Sequence, residues 1–416
     1  MRILMISPYF PWPLYGGGSI RIYHVLKELS RRGHRVVLLA GQEGTPLPPG
    51  NVLNSLCEDI YIYHLPLRGR FSFVLRSLFS PLPYPALRFQ SDLLWESLHR
   101  LLHSQRFDLI WVNFEIMAYT LSPDAVRGTP VVLDEHESQK IVWRGYLQQG
   151  SWWQRLFALV NLIKLKKLEQ RVLPMLNAVL CVSEEEATLM RGRVFRGVEI
   201  WTVPNGVHTE FFRPPVSQNR EPTIMLFGAM NVMRNVDAAV WFAKRMFPKI
   251  KQAIPDAQFW VVGRNPNKEV QRLRTINGVV MTGTVEDVRP YYEKARVCIA
   301  PYRFGGGTRL KMLEAMAMGV PIVATDAGCQ GIEVVDGQHL LIANNESEFS
   351  NHVIDLLRNP QRAQELADAG RALVVEKYDW KEIIGALEPK LQELVQRGQL
   401  GSNYRKNLPQ NCNRAF

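Results

Sequence analysis

Val297-Cys298-Ile299-Ala300-Pro301, then Phe304-Gly305-Gly306-Gly307-Thr308-Arg309-Leu310-Lys311-Met312-Leu313-Glu314-Ala315-Met316-Ala317-Met318-Gly319, then Pro321-Ile322-Val323-Ala324-Thr325: this stretch decides the fold. A short apolar run, a glycine loop, a helix-forming segment and a second apolar run predict strand, loop, helix, strand. That layout aims free helix N-terminal amides at an anion. Lys311 and Glu314 stand one turn apart, so they share a face near the helix start. A cation there suits a phosphate, and a carboxylate suits a pair of ribose hydroxyls. The stretch therefore predicts a site for a nucleotide sugar.

The same alternation extends in both directions. In the second half, strands are predicted at Thr223–Gly228, Gln258–Gly263, Val279–Thr282, Val297–Ala300 and Pro321–Ala324. Helices are predicted from about Val236 to Ile250 and over 346–358, 361–376 and 381–396. In the first half, strands are predicted at Ile3–Ile6, Arg35–Ala40, Asp59–Leu65, Leu109–Val112, Val131–Asp134, Ala178–Val182 and Ile200–Val203. The segment Ile20–Arg32 has the apolar spacing of a helix and stops at Gly33. Short apolar runs separated by helices indicate parallel, doubly wound sheets. The class is α/β, with two Rossmann-like domains at 1–203 and 204–376. A C-terminal helix over 377–397 is expected to pack back on the first domain, and 398–416 reads as a polar, disordered tail.

Composition narrows the function classes. A chain of 416 residues, 46% hydrophobic and 21% charged, can build two substantial cores. Its five cysteines are scattered and form no C-x-x-C pair, which argues against a disulfide framework or a zinc site. The N-terminus is too short in apolar residues for a signal-peptide core, and no apolar run approaches the ~18–20 residues of a membrane helix. A net charge of +11 calls for anionic partners without choosing among nucleic acid, a lipid surface and a phosphorylated ligand.

Tyr15-Gly16-Gly17-Gly18-Ser19-Ile20-Arg21 fails as a dinucleotide fingerprint, because Arg21 stands where the third glycine belongs. Glycines before a helix still let backbone amides approach a ligand; the alternative is a flexible turn at a helix start. Residues 140–173 interleave Lys140, Arg144, Arg155, Lys164, Lys166, Lys167 and Arg171 with Trp143, Tyr146, Trp152, Trp153, Leu156, Phe157, Leu159, Val160, Leu162, Ile163 and Leu165. That is the pattern of a helix lying in a membrane interface, against the alternative of a helix buried on one face with solvated lysines. Arg68 to Phe89 is a second basic-aromatic stretch. Neither segment holds a recognisable nucleic-acid module.

Taken together, Gly305-Gly306-Gly307-Thr308-Arg309-Leu310-Lys311 and Leu313-Glu314-Ala315-Met316-Ala317-Met318-Gly319-Val320-Pro321 closely resemble the donor-site motif of retaining glycosyltransferases of the GT-B fold, family 4. Further agreement lies at Gly17-Gly18, Gly33-His34-Arg35-Val36, Pro204-Asn205-Gly206-Val207, Pro255-Asp256-Ala257, Val262-Gly263 and Gly283-Thr284-Val285-Glu286-Asp287-Val288. The resemblance covers about residues 1–396. Val236-Asp237-Ala238-Ala239-Val240-Trp241-Phe242 also looks like a subgroup associated with bacterial exopolysaccharide gene clusters.

The resemblance implies two doubly wound domains facing a central cleft, with a nucleoside diphosphate sugar as co-substrate and no other cofactor. It implies that Glu314 binds the ribose. Lys311, Arg234 and the amides about Gly306, Gly307 and Thr308 would hold the pyrophosphate. Gly17 and Gly18 would add amides from the other domain, and Val285 would face the base. Two departures stand out: Gly306 occupies a position often held by glutamate, and Met230 one often held by arginine. On the acceptor side, Asp134-Glu135-His136-Glu137-Ser138 follows a strand. His136 is the candidate to orient or deprotonate the acceptor hydroxyl, its alternative being a helix-capping loop histidine. Asn113 and Glu115 are secondary candidates. No carboxylate nucleophile pair can be assigned, which favours same-face transfer assisted by the departing phosphate. No Asp-x-Asp is present, so no metal is expected. The expected activity is hexosyl transfer to a lipid-linked or glycan acceptor at an anionic, cytoplasmic membrane face. The alternatives are an epimerase-like enzyme on the same fold and an inactive scaffold.

Overall fold

The computed structural model describes residues 1–14, 16–42, 52–65, 76–77, 79–126, 128–136, 139–149, 151–192, 197–215, 220–304 and 309–406. The chain divides into two compact units: Met1–Val203 with the chain from Ile384, and Pro204–Ile383.

The first unit is built on seven parallel strands: β1 (Arg2–Ser7), β2 (Arg35–Gln42), β3 (Asp59–His64), β4 (Leu109–Asn113), β5 (Val131–Glu135), β6 (Ala178–Cys181) and β7 (Glu199–Thr202). Their order is β3-β2-β1-β4-β5-β6-β7. The chain therefore reverses its direction of travel across the sheet between β1 and β4. In a doubly wound sheet this reversal opens a crevice at the carboxyl ends of the strands. Ile3, Leu4, Val37, Leu38, Leu109, Ile110, Val132 and Leu133 are fully or almost fully buried on both faces, the signature of a parallel sheet covered by helices. The helices that matter here are α1 (Gly17–Arg31), α2 (Asp92–Ser104), α3 (Gln139–Gln149), α4 (Trp152–Val172) and α5 (Glu184–Arg191).

The second unit has six parallel strands: β8 (Thr223–Phe227), β9 (Gln258–Val262), β10 (Val279–Gly283), β11 (Val297–Ala300), β12 (Ile322–Ala324) and β13 (Leu341–Ile342). They are ordered β10-β9-β8-β11-β12-β13, with the reversal between β8 and β11. The helices used below are α6 (Met233–Trp241), α7 (Arg289–Lys294), α8 (Leu310–Ala317), α9 (Glu346–Arg358) and α10 (Pro360–Lys377). The single helix expected from Val236 to Ile250 is interrupted by a π turn over Phe242–Met246 before it resumes at Phe247–Ala253. Pro248 is the cause: it has no N–H to donate and its ring crowds the carbonyl one turn back, so the helix widens there.

The final helix, α11 (Trp380–Lys406), runs well beyond the expected end at 397, so the polar tail is helical at least to Lys406. Residues 407–416 lie outside the described residues. Glu388 on α11 meets Arg32 at 3.0 Å and the His34 Nε2 at 2.9 Å, and the His34 Nδ1 faces the Met1 amine at 3.1 Å. The Gly-His pair after α1 thus ends the helix and anchors α11. A comparable constraint explains Gly206: a Cβ there would come within 2.8–2.9 Å of Ile383, Trp380 and the Tyr378 carbonyl. The chain can pass the start of α11 there only without a side chain.

Candidate active site

The first unit gathers its sequence-predicted residues at the carboxyl edge of the sheet, beside the β1/β4 reversal. Asn113 ends β4 and donates its amide to the Ile6 carbonyl of β1 at 3.0 Å. This bond fixes which end of the amide is which, so Asn113 Oδ1 points at His136 Nε2, 3.3 Å away. Asp134 Oδ2 lies 3.4 Å from the same nitrogen. His136 is nearly buried, and its ring packs on Phe114 with centroids 4.0 Å apart. Phe114 holds φ 69 and ψ 133, a backbone region that costs a non-glycine residue ~1–3 kcal/mol. Residues in such conformations cluster where a side chain must be aimed.

Gly17 and Gly18 open α1 directly, with no side-chain cap, so their amides are helix N-terminal donors. A Cβ on Gly18 would sit 2.0 Å from the Tyr9 hydroxyl and 2.9 Å from the Phe114 ring. The glycine is required by this close approach to the ring that carries His136. Gly18 and His136 therefore share one aromatic neighbour, although they are far apart in sequence.

Arg21, which stands in place of the fingerprint's third glycine, is one of the largest fully buried side chains in the molecule. Its Nε donates to Asp134 Oδ1 at 2.9 Å and its NH2 lies 2.8 Å from the same oxygen, with the side chains 1% and 0% exposed. Burial works against the Asp134 carboxylate. The Arg21 guanidinium and the hydrogen bonds from His136 and Arg21 overcome that and hold the carboxyl well below its usual range. For His136, burial lowers the pKa and outweighs the Asp134 carboxylate, which raises it; Arg21 lowers it further. The imidazole is therefore neutral at pH 7. Nδ1 is buried and has no hydrogen-bond partner among the described residues, an omission that costs ~1–3 kcal/mol.

The secondary candidate Glu115 belongs elsewhere. Its backbone N–H donates to Glu135 Oε2 at 3.0 Å. Burial, with the charges of Glu115 and Glu186 beside it, pushes the Glu135 carboxyl well above its usual range. These acids form their own buried group next to Cys181, whose thiol burial raises to about 12.

In the second unit, α8 follows β11 at the β8/β11 reversal. Lys311 and Glu314 lie on one face of it, as their spacing predicts. The Tyr292 hydroxyl, from α7, donates to Glu314 Oε2 at 3.2 Å and approaches the Lys311 carbonyl at 3.4 Å. The Lys311 Nζ stands 5.2 Å from the centre of the Phe227 ring, a cation–π contact at the end of β8. Burial lowers the Lys311 pKa; Glu314 raises it, and Arg234, Arg264 and Arg309 each lower it. Three arginines are thus close enough to repel this lysine, against one carboxylate that attracts it. Burial raises the Glu314 pKa and Lys311 opposes the rise.

Neither the Lys311 ammonium nor the Arg234 guanidinium makes a hydrogen bond with the described residues. Arg309 is buried with its guanidinium 4.8 Å from the Tyr302 ring centre. Arg309 lies inside the glycine-loop motif and Arg264 directly after Val262-Gly263, but neither is assigned a role by the sequence alone. Met230 is fully buried and offers nothing to an anion. Val285 lies in the loop after the edge strand β10, separated from β11 by β9 and β8. The motif residues Gly306, Gly307 and Thr308 lie outside the described residues. Among the described residues no group of three or more His, Cys, Asp or Glu could hold a metal ion.

On α4 the inward face is Ala158, Asn161, Leu165, Leu168, Glu169 and Val172. The opposite face is also apolar: Trp152 is 78% exposed, Leu156 57%, and Leu159 and Ile163 about half exposed, with Trp153 beside them. Residues at this spacing form one stripe along a helix. Arg155, Lys166 and Lys167 are exposed along it, and a shallow depression lined by Lys140, Arg144, Lys166 and Gln170 adjoins it. Lys164 is spent internally on the Ser77 carbonyl. Arg68, Phe71 and Phe73 of the second basic-aromatic stretch lie outside the described residues, while Phe79 is 87% exposed. No described helix is long and apolar enough to cross a membrane.

Two family patterns match the chain: Glycosyltransferase Family 4 over residues 15–211, and Glycosyl transferases group 1 over residues 221–359. A protein from Klebsiella pneumoniae, described as an uncharacterized 44.6 kDa protein in cps region, is 19% identical over 93% of this chain and 98% of its own. Among solved structures, a sucrose-phosphate synthase from Thermosynechococcus elongatus covers 98% of both chains at 20% identity, with a TM-score of 0.68. HepE of Anabaena, solved in complex with UDP-glucose, covers 94% of this chain and 100% of its own at 15% identity, with a TM-score of 0.65. The two matched patterns span most of the sequence, and the two sheets have the GT-B architecture: the chain belongs to glycosyltransferase family 4 and is a nucleotide-sugar-dependent glycosyltransferase.

Proposed function

We propose that this glycosyltransferase moves a hexosyl group, with retention, from a nucleoside diphosphate sugar to a lipid-linked or glycan acceptor in the synthesis of a cell-surface polysaccharide. The observation that carries the donor assignment is the cluster of cations about Lys311, on the helix face it shares with Glu314: Arg234, Arg264 and Arg309 each lower its pKa, and Glu314 raises it. The Glu314 carboxylate, steadied by the Tyr292 hydroxyl, accepts from the ribose hydroxyls. As the bond from the sugar C1 to the diphosphate oxygen breaks, negative charge grows on the departing group. Fixed cations then stabilise the transition state more than the ground state. Because they suffice to balance a diphosphate, turnover is expected to persist in EDTA.

The acceptor oxygen bonds to C1 on the face the diphosphate leaves, and its proton passes to a departing phosphate oxygen. Asp134, the carboxylate beside His136, is committed to Arg21, which disfavours it as a glycosyl-accepting nucleophile and supports same-face transfer. His136 accepts a hydrogen bond from the acceptor hydroxyl and orients it. HepE binds UDP-glucose and is a fold relative, which makes UDP-sugars the first donors to try. The cps-region relative favours a capsule or exopolysaccharide acceptor.

The outward stripe on α4 supports a position of the enzyme at an anionic bilayer. Tryptophans at one end, aliphatic side chains along the stripe and flanking cations combine apolar insertion with attraction to lipid headgroups. Trp152→Ser with Leu156→Ser is expected to abolish co-sedimentation with phosphatidylglycerol-containing vesicles; wild-type binding by this variant would refute the placement. Donor assignment is tested separately, by titrating purified protein with a panel of nucleotide sugars. Saturable binding to at least one supports it, and no binding to any defeats it.

A further inference from the structure

Arg21 does no donor chemistry in the scheme above, yet its guanidinium is buried in the middle of the first unit. Burying an arginine and an aspartate together is expensive unless the pair does something a hydrophobic pair could not. What distinguishes this pair is its third member. Asp134 uses Oδ1 and part of Oδ2 on Arg21 and turns Oδ2 toward His136 Nε2 at 3.4 Å. Asn113 Oδ1, its orientation fixed by the Ile6 carbonyl, faces the same nitrogen at 3.3 Å. Among the described residues two acceptors and no donor surround Nε2, so the proton of the neutral ring belongs on Nε2 and the lone pair on Nδ1. Nδ1 is the ring nitrogen left without a partner among the described residues.

We infer that Arg21 is a positioning residue: it holds Asp134 as a carboxylate so that His136 is locked as the Nε2–H tautomer, leaving Nδ1 as the acceptor for a substrate hydroxyl. The use of Nδ1 toward substrate rests on the role proposed for His136; the tautomer does not. Among the described residues the charged groups that face the imidazole are Asp134 from β5 and Arg21 from α1, with Asn113 and Phe114 neutral. Arg21 therefore acts on His136 in two ways. It keeps the carboxylate ionised, and its own charge lowers the basicity of the ring.

Weakening the Arg21 hydrogen bonds leaves Asp134 a stronger acceptor for Nε2–H, and losing the Arg21 charge altogether also removes a repulsion, so the His136 pKa rises in either case. Replacing Asp134 with asparagine removes the charge that favours imidazolium, so the His136 pKa falls. Asparagine can also offer an N–H to Nε2, which frees the tautomer.

The test is nitrogen NMR on full-length protein labelled with 15N-histidine, with His136→Gln used to assign the signal. The wild type should show protonated Nε2 and bare Nδ1 at pH 7.5. Arg21→Lys should raise the His136 pKa by about one unit, and Asp134→Asn should lower it and mix the tautomers. Arg21→Lys keeps a charge in place, so it remains informative if Arg21→Met does not fold. In turnover, Arg21→Lys should lower kcat about 10-fold with the donor KM unchanged. A wild-type Nδ1–H tautomer, or a His136 pKa that stays put in Arg21→Lys, overturns the inference. If the spectra behave as described but His136→Gln keeps full kcat, the tautomer lock stands and the proposed role of His136 in transfer fails.

Discussion

The two units treat charge in opposite ways. In the first, the strong charges near His136 among the described residues are cancelled at close range: Arg21 meets Asp134 with both side chains inaccessible to solvent, and the histidine is left neutral. In the second, three arginines lower the Lys311 pKa, and among the described residues Glu314 is the carboxylate that raises it. Balanced charge fixes geometry, because each group is held by a partner already present. A lysine side chain with no hydrogen bond to the described residues keeps its capacity for an anionic ligand. The first arrangement suits a group that orients a hydroxyl, the second one that grips a diphosphate.

The contrast can be broken most severely at Lys311. Lys311→Met should lower kcat ~100-fold or more, the scale of losing a fixed donor to a developing oxyanion. A small loss confined to KM would mean that the lysine binds the ground state alone. Next, Glu314→Ala should weaken donor binding by about 10- to 100-fold, since hydrogen bonds to a charged group contribute ~1.5–3 kcal/mol. Unchanged turnover at low donor concentration would remove Glu314 from the ribose.

The pH dependence of turnover probes the first unit. The His136 pKa is depressed by burial, so its neutral form persists to below the ordinary histidine range. The acid limb of kcat should therefore fall below pH ~6.5, activity being lost as pH decreases through the folded pKa and retained above it. An acid limb well above pH 7 would contradict a neutral, Arg21-guarded imidazole. The smallest effect is expected at Tyr292. Tyr292→Phe removes one neutral-to-charged contact with Glu314, which should weaken donor binding a few-fold.

The strands and the helix that carries Lys311 and Glu314 were legible in the sequence because parallel strands buried on both faces leave continuous apolar runs; the order of the strands in each sheet came only with the structure. Strand ends fell within a residue or two of expectation. The π turn at Phe242–Met246 was not legible, since Pro248 at the start of a helical segment and Pro248 inside one look alike until the backbone is placed. The short edge strand β13 has too few residues for any pattern. In the site, one-turn spacing made Lys311 and Glu314 visible together, and a strand end followed by a carboxylate-rich loop flagged His136. Arg21 was noticed only as a missing glycine. Its meaning depends on Asp134, which lies more than a hundred residues away and comes alongside only when β5 and α1 share a sheet edge. Arg264 and Arg309 escaped for the same reason: a cation's role here depends on which other cations surround it.

The most direct test of the central claim, that the second unit is a cationic receptor for a nucleoside diphosphate, is calorimetric titration of the full-length protein with UDP, GDP and ADP in EDTA. The wild type should bind at least one of them saturably, and Lys311→Met should bind that nucleotide at least about 10-fold more weakly. Equal affinity in the two proteins, or no binding of any diphosphate to the wild type, would contradict the account.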